Sequence, residues 1–171
     1  MLPQSSKGQK SLSANDASVY DSPALLSADP LKLVSLLESG GTFHAYSLKN
    51  AGRLVRRENI QLFLGQADSE NDRYLFWSEF GAPRLQSIDN AMDLEEIESI
   101  GTGREAAGSI FAHLASQVNS DLAQVDDSRL VTLIGQHVSL ELEAQSKAQA
   151  QVWCRALRAL TGKSAEVNHA K

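Results

Sequence analysis

From residue 42 onward, apolar and polar side chains alternate with a period of two, which predicts β-strands. Short polar or glycine-containing segments between these stretches predict turns, and Gly135-Gln136 suits a tight hairpin turn. The pattern predicts seven strands in up-and-down order. Six lie near residues 42–49, 54–64, 74–77, 84–88, 130–134 and 138–142, and the fifth along the chain carries Met92 and Leu94, followed closely by Ile97 and Ile100.

The clearest helical pattern lies at the C-terminal end of the chain. Ser146 and Gln149 have the spacing of a capping box, in which each side chain bonds a backbone N–H near the helix start. Apolar residues three and four apart then form one stripe that includes Trp153. Gly162 is placed to end the helix. Trp153 is therefore expected to fill the core rather than to form a site.

Two further helices are expected on either side of the first five strands. Asp29 and Pro30 suit the start of a short apolar helix within residues 27–40, which Gly40 and Gly41 would end. Between the fifth and sixth strands, a longer insert, roughly residues 104–127, has apolar residues at helical spacing. These insert residues are Ile110, Phe111, Leu114 and Val118.

Polar composition at both ends of the sequence predicts tails. Residues 1–26 are rich in serine and poor in large apolar side chains, which predicts a disordered segment. Residues 163–171 are expected to fray beyond the last helix. The predicted organisation is a tail at 1–26, a helix at 27–40, one folded domain at 41–162 and a second tail at 163–171.

Composition excludes several classes of protein. The 171 residues fit one domain, and 16 basic against 21 acidic residues leave a net charge of −5, which argues against nucleic acid as a partner. The single cysteine, Cys154, excludes a disulfide framework and a cysteine-based zinc cluster, and favours a cytoplasmic location. No apolar run approaches the roughly 20 residues that span a bilayer, and the first residues do not form a signal peptide.

Candidate chemistry is sparse. The four histidines stand far apart without the spacing of metal ligands, and no Gly-x-Ser-x-Gly nucleophile motif is present. Gly101-Thr102-Gly103 is better explained as a turn after the fifth strand than as part of a dinucleotide motif. The sequence therefore predicts a protein that is not an enzyme and that uses no cofactor and no metal.

Seven strands followed by an amphipathic helix with an inward tryptophan resemble the pleckstrin homology (PH) fold, over residues 41–162. The stretch from Met92 to Gly103 resembles the fifth strand and following turn of phospholipase C type PH domains, and the stretch from Val138 to Leu160 resembles their last strand and helix. Val55-Arg56-Arg57-Glu58 resembles the start of their second strand. The resemblance implies a mainly β fold, a bent seven-stranded barrel or sandwich capped by the C-terminal helix.

The chain is also similar to a narrower group, the PH-like inner membrane complex sub-compartment proteins of apicomplexan parasites. The common features are its size, its acidic balance and the predicted helix before the first strand. Those proteins carry a lipidated N-terminus, whereas this sequence has no N-terminal Gly-Cys motif. This resemblance implies a location in the cytoplasm at a membrane periphery, in the inner membrane complex.

Phosphoinositide-binding PH domains hold the headgroup with a lysine at the end of strand one and arginines at the start of strand two. The resemblance carries these roles to Lys49 and Arg56, but it places Ala51 and Asn59 where two further basic residues stand in the family. Losing two of four charged contacts would cost about 3–6 kcal/mol of binding free energy. The candidate headgroup residues are Lys49, Arg53, Arg56, Arg57 and Arg73.

We therefore expect a non-enzymatic PH-like scaffold at a membrane periphery that binds a protein partner and has a degenerate phosphoinositide pocket. Its candidate contacts are the apolar insert residues Ile110, Phe111, Leu114 and Val118, if an exposed patch presents them to a partner. The alternative is a phosphoinositide-binding membrane-targeting domain that uses the basic loop at residues 49–57. A second alternative, an enzyme on a PH-like sheet, has no candidate residues.

Overall fold

An open antiparallel sheet organises the chain. The structure, a computed structural model, describes residues 17–49, 54–66, 72–83, 86–104, 106, 111 and 125–163. Within these residues seven strands follow the order β4-β3-β2-β1-β7-β6-β5, which leaves β4 and β5 at the edges. The strands are β1 Gly41–Lys49, β2 Leu54–Gln66, β3 Arg73–Glu79, β4 Ala91–Asp93, β5 Ile97–Thr102, β6 Leu130–Gly135 and β7 Ser139–Ala144.

The predicted positions of the fourth and fifth strands were wrong. Gln86 and Ser87 are not in a strand, and Ile88–Asn90 is a 3₁₀ turn, so β4 begins only at Ala91. Asp93 then ends β4, because its carboxylate accepts the N–H of Glu95 at 2.9 Å and starts a second 3₁₀ turn. Because of that turn, apolar residues spaced by two and by three positions all face the same core. A strand pattern with a period of two does not predict this arrangement. These buried residues are Met92, Leu94, Ile97 and Ile100.

Short helices precede the sheet. They are a 3₁₀ helix at Ala17–Asp21, α1 at Pro23–Leu26, and a 3₁₀ turn at Pro30–Leu33 that continues into α2 at Val34–Ser39. The predicted cap is confirmed, since the Asp29 carboxylate accepts the N–H of Leu31 at 3.1 Å.

Residues 17–26, which the sequence assigned to a disordered tail, are helical, so that part of the prediction was wrong. One fully buried side chain, Tyr20, and the guanidinium of Arg155 tie this segment to the domain. Arg155 donates to the carbonyls of Leu26 and Ala28. The rest of the predicted tail, residues 1–16, lies outside the described residues, as does 164–171 at the other end.

The C-terminal helix α3, Lys147–Thr161, lies on one face of the sheet. Its cap is confirmed, because the Ser146 hydroxyl accepts the N–H of Gln149 at 3.1 Å. The Gln149 side chain reaches the N–H of Gln145 rather than that of the capping serine, and it also donates to the carbonyl of Thr42 at 3.1 Å. Gly162, with φ of 69°, ends the helix as predicted.

Trp153 joins α3 to the sheet. Its ring meets that of Phe43 edge to face, with centroids 5.2 Å apart. Gly41 permits this approach, because a Cβ atom there would lie 3.0 Å from the Trp153 ring. The core cluster on this face also contains apolar residues of every strand. The predicted structural role of Trp153 is confirmed.

The register defines two ends of the sheet. At the hairpin end, Lys49 pairs with Leu54, and β6 turns into β7 with the N–H of Gly135 donating to the carbonyl of Val138. At the helix end lie the first residue of β1, Gly41, and the first residue of β3, Arg73. Seven antiparallel strands with a C-terminal helix confirm the predicted mainly β fold class and are compatible with a PH-like fold.

Candidate functional site

Part of the predicted headgroup set lies together at the hairpin end. Lys49 ends β1 opposite Leu54, and along β2 the next basic positions, Arg56 and Arg57, lie opposite Ser47 and Tyr46. The fourth predicted residue, Arg53, lies outside the described residues. The register therefore brings the backbones of Lys49, Arg56 and Arg57 to the same end of the sheet.

Arg73 does not belong with them. It begins β3 opposite Gln66, the last residue of β2, at the helix end. Ten residue steps of β2 separate Gln66 from Arg56, about 33 Å along an extended strand. One phosphoinositide headgroup cannot contact both Arg56 and Arg73. The same distance removes Asp72 from the hairpin end, so it does not oppose a ligand there.

A glutamate lies on the same strand face as position 56, where the first of the predicted headgroup arginines stands. In the resembled family, a second arginine stands at the position of Asn59. Side chains two apart on a strand share a face, so position 58, rather than position 59, lies on the same face as position 56. Position 58 is Glu58, which is partly buried. A carboxylate there opposes phosphate through like-charge repulsion.

Glu58 lines an open depression of about 600 Å³ between β2 and the end of β3. Glu79 lies on the adjacent strand, directly opposite Ile60, and Trp77 lies opposite Leu62. The depression therefore combines carboxylates, aromatic rings and side-chain amides. Its lining residues are Glu58, Asn59, Ile60, Trp77, Glu79, Phe80 and Asn90.

The two aromatic residues of the depression differ in their support. Trp77 is half-buried and packs against the core cluster, which fixes its ring. Phe80 lies in a turn after β3 and is 55% exposed. Its N–H donates to the carbonyl of Asn59 at 3.0 Å, which holds the turn beside β2. Sequence reasoning missed this site because residues 77–80 looked like an ordinary strand end.

The turn that carries Phe80 depends on a glycine. The N–H of Ala82 donates to the carbonyl of Glu79 at 3.1 Å, and Gly81 has φ of 85°. A hydrogen bond across four residues with a positive φ at the third residue is the geometry of a type II turn. The turn places Phe80 at its second position, where its side chain is exposed.

The one described residue of the predicted interaction patch is buried. Phe111 has helical backbone conformation and no exposed surface, and it meets the Tyr46 ring edge to face at 5.7 Å. Ile110, Leu114 and Val118 lie outside the described residues. The burial of Phe111 favours packing within the chain over contact with a partner at this position.

Polar side chains fill the sheet face beside Phe111. The Tyr46 hydroxyl donates to one carboxylate oxygen of Glu143 at 2.5 Å, and Arg129 donates to the other at 2.9 Å. On the same strand, the Glu141 carboxylate accepts the hydroxyl of Thr132 at 2.8 Å. Both glutamates are buried. The network explains how a sheet face with two carboxylates can be covered.

A second depression, of about 470 Å³, follows α3 and is lined in part by Lys147, Cys154, Arg155 and Arg158. Its guanidinium groups already bind backbone carbonyls, since Arg158 donates to Ile100 as Arg155 does to the N-terminal helices. Burial raises the pKa of the Cys154 thiol to about 11, so the reactive thiolate is disfavoured. Among the described residues, no cluster of His, Cys, Asp and Glu could hold a metal ion.

Comparisons with known proteins do not assign the chain to a family, so its function is argued from the fold and from the geometry described above. No protein-family model matches the chain, and curated proteins include no significant match to it. Within the described part of the chain, no helix has both the length and the apolar character needed to cross a bilayer.

Proposed function

We propose that this chain is a non-catalytic PH-like module that binds a protein partner in the depression between β2 and the end of β3 rather than a phosphoinositide headgroup. The observation that carries the proposal is the depression in which Glu58 and Glu79 lie beside Trp77 and Phe80. Exposed aromatic surface is typical of protein interfaces. Any place at a membrane periphery then depends on the partner.

The same carboxylates argue against tight headgroup binding. Phosphate groups need several converging cations to replace their water. Here a glutamate shares a strand face with Arg56, and Arg73 lies at the opposite end. Each carboxylate near a bound phosphate would lower its affinity further.

The alternative function is phosphoinositide binding by Lys49, Arg56 and Arg57. The observation in its favour is that the register brings these three positions to one end of the sheet. It predicts salt-sensitive binding to anionic vesicles that depends on these residues.

Co-sedimentation with vesicles that carry each phosphoinositide separates the two functions. We expect the wild type to sediment no more than with neutral vesicles, and Arg56→Ala/Arg57→Ala to behave identically. Arg73→Ala is the matched control, because it removes one positive charge at the far end of the sheet. Strong binding that the double variant loses and Arg73→Ala keeps would establish the lipid-targeting alternative.

A further inference from the structure

We infer that the depression along α3 binds an acidic segment of a partner protein. This depression, the α3 groove, has a volume of about 470 Å³ and is lined by three basic residues of α3, Lys147, Arg155 and Arg158. It shares no lining residue with the depression between β2 and β3. The inference therefore goes beyond the proposed function and does not depend on it.

The basic residues of the groove lie on one face of α3. From Lys147, the lining positions Gln151, Arg155 and Arg158 follow at steps of four, four and three residues, which is the spacing of neighbours on a helix surface. None of the described residues that line the groove is acidic, although the chain carries a net charge of −5. Positive charge concentrated in a concave surface favours an anionic ligand.

The hydrogen bonds of the two arginines leave their positive charges uncompensated. Arg155 donates to the carbonyls of Leu26 and Ala28, and Arg158 donates to that of Ile100. Carbonyl oxygens are neutral acceptors, so these bonds orient the guanidinium groups without cancelling their charge. Within the part of the chain that the structure describes, neither arginine forms an ion pair with a carboxylate.

The charge of Arg158 acts inside the groove. Burial raises the pKa of the Cys154 thiol, which also lines the groove, and the positive charge of Arg158 acts on that thiol in the opposite direction. A guanidinium has five N–H donors, and the buried Nε of Arg158 has no hydrogen-bond partner. The chain therefore satisfies neither the charge nor all the donors of this side chain.

Lys147 is compensated only in part. Hydrogen bonds from Ser128 hold the pKa of Asp126 below its usual value, and the charge of Lys147 adds to this effect. Both Lys147 and Asp126 are exposed, and Asp126 is not among the residues that line the groove. Attraction between exposed charges is weak, so Lys147 can turn to a ligand at its end of the groove.

The spread of the three cations favours a segment with several acidic residues over one small anion. Eleven residue steps of α3 separate Lys147 from Arg158, about 16 Å along the helix axis. A single phosphate or carboxylate group cannot contact both. An extended segment rises about 3.3 Å per residue and directs alternate side chains to one side. Acidic residues at every second position would therefore face the cations.

Apolar atoms in the groove also favour a protein segment. Leu26, which is 39% exposed, lines the groove together with Ala150 and Cys154. An apolar side chain between the acidic residues of a segment would cover Leu26 and gain hydrophobic stabilisation, which an inorganic anion lacks.

A labelled peptide of alternating glutamate and serine, with one leucine at its centre, tests the inference by fluorescence anisotropy. The control peptide has glutamine in place of each glutamate, which keeps the shape and removes the charge. We expect the glutamate peptide to bind at least about tenfold more tightly than the glutamine peptide. Added salt is expected to weaken this binding, because exposed charges are screened.

Variants locate the binding. Lys147→Gln/Arg158→Gln should lower the affinity for the glutamate peptide about tenfold or more, because both ends of the row of cations are lost. Lys147→Gln alone changes an exposed side chain and should lower the affinity about threefold, which keeps the test decisive if the double variant does not fold. Lys163→Gln is the matched control and should bind as the wild type does, since Lys163 is an exposed cation beyond α3 that does not line the groove.

Equal affinity for the two peptides, failure of both to bind, or equal losses in Lys147→Gln and Lys163→Gln would overturn the inference. Two further measurements test other anionic ligands. Inorganic phosphate that displaces the peptide better than chloride does at equal ionic strength would assign the groove to a small anion. Phosphatidylserine vesicles that sediment the wild type but not the double variant would assign it to a membrane surface. Either result would also overturn the inference.

Discussion

The indole N–H of Trp153 donates a hydrogen bond to the hydroxyl of Tyr20 at 2.9 Å, and both side chains are buried. The pair lies 133 residues apart in the sequence. A buried indole N–H needs an acceptor, and here the acceptor comes from the segment that precedes the sheet. The 3₁₀ helix at Ala17–Asp21 is therefore part of the domain core.

Tyr20→Phe should lower the free energy of unfolding by about 1–3 kcal/mol, because the variant leaves the Trp153 N–H buried without this acceptor. Urea denaturation measures the change. Trp153→Ala should cost about 3–5 kcal/mol, since a large cavity adds to the lost burial.

A double-mutant cycle with Trp153→Phe isolates the hydrogen bond. In the Trp153→Phe background no indole N–H remains, so Tyr20→Phe should cost much less than it does in the wild type. Equal costs of Tyr20→Phe in both backgrounds would show that the bond contributes nothing to stability.

Alkaline pH should destabilise the domain through Cys154. Burial raises the pKa of its thiol from 9.0 to about 11 in the folded chain. The unfolded chain therefore loses this proton first, so the contribution is fully present below pH 9 and disappears as pH rises through about 11. The loss reaches about 2–3 kcal/mol. Urea denaturation at a series of pH values from about 8 to about 11 measures it, because this range covers the pKa of the thiol in the unfolded and in the folded chain.

Two variants separate the groups that titrate in this range. Burial also raises the pKa of Tyr20, so ionisation of its hydroxyl at alkaline pH destabilises the domain in the same direction. Cys154→Ala should have a flatter stability profile than the wild type above pH 9, where the thiol titrates. Tyr20→Phe should keep the thiol-dependent decline. Identical profiles for Cys154→Ala and the wild type would contradict the assignment.

Elements with one regular period could be predicted from sequence. The stripe of α3 and the alternation of β6 and β7 correspond to single elements with clear ends, and Ser146 and Gly162 mark helix ends by local chemistry. The region around Met92 failed, because an aspartate cap and a 3₁₀ turn interrupt its pattern. The segment around Tyr20 failed since its order depends on a partner far away in the sequence.

The candidate site could be predicted only in part, for a similar reason. The basic positions near residue 56 were visible as a local charge run, and their shared end of the sheet follows from one hairpin. Arg73 was grouped with them without knowledge of the strand pairing. The β2–β3 register places it at the opposite end of the sheet. The depression needs Glu58 and Phe80, 22 positions apart, and strand pairing alone brings them together.

Glu143→Gln should lower the free energy of unfolding by about 1–3 kcal/mol. Glutamine has nearly the same shape but removes the charge that accepts from Tyr46 and Arg129 on the covered sheet face. Urea denaturation measures the loss. Glu98→Gln, on exposed surface of β5, should change stability by no more than about 0.5 kcal/mol. Comparable losses in the two variants would show that the buried network does not stabilise the fold.

Gly81→Ala should destabilise the turn that presents Phe80, because a residue with a Cβ atom adopts φ of 85° only with strain of about 1–2 kcal/mol. A Cβ there meets no other atom within 4 Å, so the effect comes from the backbone and not from a clash. Ala82→Gly, one residue further, is the control, because it exchanges the same two residue types without placing a Cβ atom at position 81. Urea denaturation should show the loss for Gly81→Ala. Unchanged stability would mean that the turn does not depend on the glycine.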